Sequence, residues 1–141
     1  MTMTTVPAAA RTPLKTGVLA LWGLFWLAVA LWMLGDPAGW YAGVDGVPNT
    51  GPYNPHFVRD IGMAYLTLAL LVFAAIRWPA QAVPLVGAGA LFLGLHAVLH
   101  VWDIAAGRLP AEHILMDMPG VFVPVLVSIF LTWWCAPARA A

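Results

Sequence analysis

Charge is scarce in this chain. Only 9% of the 141 residues are Asp, Glu, Lys or Arg, whereas a soluble domain carries roughly 25%, so water cannot be its main solvent. The six basic and six acidic residues cancel and form no run, which removes the electrostatic footprint of a nucleic-acid-binding protein. Cysteine is scarcer still. Cys135 stands alone, excluding a disulfide or a C-x-x-C redox pair within one chain. Histidine occurs only four times, about half of what the histidine boxes of membrane hydroxylases and desaturases require.

What the chain has in excess is apolar surface. Hydrophobic residues make up 62% of it and the mean hydropathy is +0.87. One small core cannot hide that much, so the surplus faces lipid. Four apolar stretches, at 17–34, 55–76, 82–102 and 119–135, can each cross a hydrocarbon layer of about 30 Å, which takes roughly 20 helical residues. Arg11 and Lys15 ahead of an apolar run also describe a signal peptide, but about 18 apolar residues exceed the usual 7–15 of a cleaved segment. The first stretch is therefore expected to be a retained helix. The fold class is all-α: an integral membrane four-helix bundle, 16–136, with a disordered tail at 1–15 and a short tail at 137–141.

The connections set the topology. Residues 35–54 are rich in Gly, Pro, Asn and Asp, which is turn chemistry. The five residues from Arg77 to Gln81 are short enough to make the second and third helices an antiparallel hairpin. Asn54 can cap the second helix, with Pro55 at its first position. Pro119 and Pro124 each remove a backbone donor and favour a boundary or kink, so 109–118 is expected to form a separate short interfacial helix before the last span. Gly87, Gly89 and Gly94 allow close helix approach. Trp22 and Trp26, four apart on one helix face, are read as packing or lipid contacts. Arg11, Lys15, Arg77 and Arg139 fall on one side, and Arg59 and Arg108 on the other, so the positive-inside rule is expected to place both termini in the cytoplasm.

This topology collects all four histidines on the outer side. His96, His100 and Asp103, separated by four and three residues, lie within about 60° of one another on a helix. His56 with Asp60 and His113 with Asp117 repeat the i, i+4 spacing. An ionisable group at mid-helix in hydrocarbon costs roughly 2.5–3.5 kcal/mol, so such residues usually face the bundle interior and pair. Imidazole with carboxylate suits a transition metal, Cu, Zn or Fe. The candidate ligands are His96, His100 and Asp103, with His56, Asp60, His113 and Asp117 as further or supporting ligands. Arg59 fits an ion pair better than a metal.

Three other readings stay open at this point. A haem b would take His96 or His100 with His56 or His113 as axial ligands. A quinone would use the polar groups at the interface, Arg59, His56 and His113 among them. In the third reading the cluster anchors loops, and the chain is a non-catalytic subunit of a membrane complex or a homo-oligomer. No residue pattern decides whether the protein is an enzyme.

The stretch N-P-H-F-V-R-D-I-G-x-A-Y-L from Asn54 to Leu66, opening the second helix after a Gly/Pro-rich loop in a four-helix chain of this size, resembles the small DoxX-like membrane proteins of bacteria. Some relatives of that group are linked to quinone-dependent sulfur oxidation, so the resemblance implies a respiratory or redox setting. The His and Asp stripe of the third helix has no counterpart in a described motif of that group.

Overall fold

The computed structural model describes residues 12–137. Thr12 caps the first helix by accepting a hydrogen bond from the Lys15 N–H at 3.2 Å, and Pro13 occupies the first helical position, where no N–H is needed. Helix α1 therefore spans Pro13–Gly35, four residues longer at its start than the apolar run alone indicates. Of the expected tails, residues 1–11 and 138–141 lie outside the described residues, while 12–15 belong to this helix start. Asp36 caps a short helix α2, Pro37–Gly43, through the Gly39 N–H at 2.9 Å. A single 3-10 turn, Val47–Thr50, follows.

Asn54 accepts from the backbone N–H groups of His56 and Phe57 and opens α3, Pro55–Arg77, at the expected cap. A 3-10 turn, Pro79–Gln81, reverses the chain into α4, Ala82–Ala105. The last crossing has three parts: α5, His113–Asp117, a five-residue π turn, Met118–Phe122, and α6, Val123–Cys135. A short helix thus does precede the last span, but it is continuous with it and shorter than 109–118. Pro119 gives the reason. Without an N–H it cannot make the bond of a regular turn, and the backbone widens until the Val123 N–H meets the Met118 carbonyl five residues back.

Four helical runs, Pro13–Gly35, Pro55–Arg77, Pro79–Ala105 and His113–Cys135, are long and apolar enough to cross a membrane. At 1.5 Å per residue, 23 residues reach about 35 Å. The chain is a multi-pass membrane protein, all helical among the described residues. Its outer faces carry large apolar side chains such as Leu21, Leu91 and Leu126, each 64–70% exposed, as lipid contact requires.

The core is formed by Trp26, Ala30 and Met33 of α1, Leu68, Ala69 and Val72 of α3, Val86 and Leu93 of α4, and Leu131 of α6. Helix α1 packs mainly on α3, and α4 on α6 and α3. A Cβ on Gly89 would stand 3.0 Å from the Leu68 side chain, so this glycine sets the α3–α4 approach. A Cβ on Gly87 would make only ordinary contact with Thr132 of α6, and one on Gly94 would meet nothing within 4 Å. The ends of α1 and α6 meet on one face, where Lys15 Nζ donates to the Trp134 carbonyl at 2.8 Å and lies 5.5 Å from the Trp134 ring centre. Toward the opposite face, residues from 40 to 54 help to line a cavity beside α1 and α3.

Candidate functional site

The site begins with the short helix α5. His113 is its first residue and Asp117 its last, and one helical turn brings both side chains to the same face. There they meet His100, which α4 carries into this end of the bundle. His100 Nδ1 lies 2.8 Å from Asp117 Oδ2, and His113 Nδ1 lies 3.1 Å from the same oxygen. His113 has no exposed surface and Asp117 only 6%. One ligand atom from each of the three residues falls within 4.8 Å of the others.

A fourth participant comes from the segment between α2 and α3. His113 Nε2 stands 3.2 Å from the Gly46 carbonyl oxygen. Gly46 has φ +86°, and a Cβ there would lie 3.1 Å from both Cε1 and Nε2 of His113. Glycine is thus required twice over, by the left-handed backbone and by the ring pressed against it.

A carbonyl oxygen only accepts, so the Gly46 contact assigns the hydrogen to Nε2 of His113. Nδ1 of a neutral ring then turns its lone pair toward Asp117 Oδ2, which is the arrangement a shared metal ion would use.

His96 lies one turn further along α4. Its ring centre is 4.6 Å from that of His100, edge to face, and 6.3 Å from that of Phe92, nearly parallel. The sequence of rings continues inward, Phe92 to Tyr65 at 6.0 Å and Tyr65 to Trp26 at 4.8 Å. Beside it is a cavity of about 610 Å³ bounded by α1, α3, the 40–54 region, His96, His100, Asp117 and the π turn.

The remaining candidates are placed elsewhere. His56 and Asp60 form their i, i+4 contact at 3.4 Å, but both side chains are largely exposed, 87% and 59%. Arg59 Nε donates to the Leu34 carbonyl at 3.3 Å, linking α3 to the end of α1. Asp103 accepts from Arg108 at 2.8 Å across the turn after α4. Of the three His and Asp sets expected to converge, the structure joins His113 and Asp117 to His100, with His96 adjacent.

Gly46, Tyr65 and Trp26 were not among the sequence candidates. Only the left-handed backbone at Gly46 has a sequence correlate, the glycine within a turn-rich stretch, and nothing links it to residue 113. Comparison of the chain with protein-family models, characterised proteins and solved structures returned no match.

Proposed function

We propose that the protein binds a transition metal ion through His100, His113 and Asp117, on the face of the bundle opposite the start of α1 and the end of α6. The observation that carries this reading is the convergence of two imidazoles on one buried carboxylate, with the far nitrogen of His113 held by a backbone carbonyl. A carbonyl or carboxylate on the second ring nitrogen is how proteins orient metal-binding histidines. Two imidazoles and one carboxylate form the donor set of both catalytic zinc and non-haem iron sites. Tetrahedral bonds of about 2.0–2.1 Å place ligand atoms about 3.3 Å apart, so the contacts at 2.8 and 3.1 Å need to open by only a few tenths of an ångström. Asp117 between the two rings favours a bare ion over a porphyrin.

His100 and Asp117 also border the cavity, so a bound ion would have a side facing space where a small molecule fits. There it would supply Lewis-acid or redox chemistry according to its identity. The chain's own contribution is to hold the ligands in a largely buried cluster and fix the His113 tautomer. The distribution of Lys and Arg supports an outward-facing site in a bacterial inner membrane, and the resemblance to DoxX-like proteins supports a respiratory setting.

Metal content of detergent-purified protein tests the proposal. Wild type and Asp103→Asn are expected to retain about one equivalent per chain after zinc or iron loading, and Asp117→Asn to lose it while keeping its helix content. Equal metal in Asp117→Asn, or none in wild type, contradicts the assignment.

A further inference from the structure

The cavity beside the cluster has a wall chemistry of its own. It reaches from the 40–54 region down to Trp26 and Tyr65, and Trp26 lies nine residues before the end of α1, about 14 Å at 1.5 Å per residue. Most of its wall is apolar. Yet the Trp26 indole N–H is buried without a hydrogen-bond partner, and the Tyr65 and His96 side chains stand in the same wall. Trp26 is 2% exposed, and a buried polar group without a partner costs about 1–3 kcal/mol. Such groups mark places where a ligand can supply the missing bond.

Charge narrows the ligand further. In the metal-free protein no Lys or Arg among the described residues borders the cavity, whereas Asp45 and Asp117 do, so an anion would be left without a counter-charge. The aromatic faces of Trp26, Trp32, Trp40 and Tyr65 suit a flat ring. We infer that the cavity binds an uncharged, ring-bearing amphiphile whose hydroxyl or carbonyl group bonds to Tyr65, Trp26 or His96. This inference goes beyond metal binding and concerns the metal-free protein, since none of these three residues is a proposed ligand.

The probe is radiolabelled 1-naphthol, a neutral fused ring with one hydroxyl, added to detergent-solubilised protein stripped of metal with EDTA. Saturable binding is expected at one site per chain. Tyr65→Phe, nearly isosteric, should weaken it about fivefold, as loss of one hydrogen bond would. Ile61→Trp, which fills the cavity, should abolish it, and 1-naphthoate at pH 8 should compete at least tenfold less well than unlabelled 1-naphthol. Helix content and elution volume of both variants are checked alongside. The inference is overturned if binding is not saturable, if folded Tyr65→Phe and Ile61→Trp bind like wild type, or if hexadecane displaces the probe as well as unlabelled 1-naphthol does. Because the protein is metal-free throughout, failure of the metal assignment leaves this outcome unaffected.

Discussion

At the scale of single residues, the site depends on positions that differ sharply in what surrounds them. Gly46 and Gly107 both have left-handed backbones, φ +86° and +69°, but a Cβ on Gly107 would meet nothing within 4 Å. Replacing either with alanine incurs the backbone cost of roughly 1–2 kcal/mol. Only Gly46→Ala also pushes against the His113 ring. Gly46→Ala should therefore lower zinc affinity at least tenfold, while Gly107→Ala should lower thermal stability by a few degrees and leave zinc affinity unchanged. Calorimetric titration of zinc into the two purified variants checks this contrast. The difference between Asp117 and Asp103 has the same origin. Both are acids near histidines in the sequence, yet Asp117 is enclosed by two rings and Asp103 faces Arg108 with its side chain 29% exposed. Helical periodicity gave Asp103 a place on the His96 and His100 stripe but could not show that the turn after α4 brings Arg108 to it first.

At the scale of elements, the π turn at Met118–Phe122 governs how α5 meets α4. It adds one residue to a turn, and a regular helix rotates about 100° per residue. Deleting Gly120, within that turn, should restore regular winding and rotate His113 and Asp117 away from His100. The expected result is a protein with unchanged helix content by circular dichroism and less than a tenth of the wild-type metal. Retention of full metal would separate the site from the π turn. Much of this level was legible in the sequence. The caps at Asn54 and Pro55, the hairpin through residues 77–81 and the irregularity at Pro119 all rest on local backbone chemistry, which a sequence carries directly. The form of the Pro119 irregularity was not legible, because a missing donor can end, kink or widen a helix. Packing around Val121, buried within the turn, is not written in the local pattern. For the same reason the sequence reading gathered all the histidines at one end of the bundle but could not rank them: which side chains meet depends on helix rotation and on the path of the 35–54 segment.

At the scale of the whole molecule, four crossings place the start of α1 and the end of α6 on one face and the His and Asp cluster on the other. From the Lys and Arg distribution along the sequence, the positive-inside rule predicts that the side carrying the start of α1 faces the cytoplasm. A carboxy-terminal green fluorescent fusion should be bright, and a carboxy-terminal alkaline phosphatase fusion inactive. The reverse pair of results would invert the assignment. With the cluster outside, a metal would enter from the extracytoplasmic side without crossing the apolar core, and the cavity would receive a lipophilic molecule at about the depth of the upper bilayer leaflet. The central claim is that the two imidazoles and the carboxylate together hold an ion. X-ray absorption at the zinc edge of the loaded, detergent-purified protein reads that ligand set directly. The account predicts imidazole scattering from two histidines with nitrogen and oxygen neighbours at about 2.0–2.2 Å, falling to one histidine in His100→Phe. A shell of water oxygens without imidazole, or a spectrum unchanged by that substitution, would contradict it.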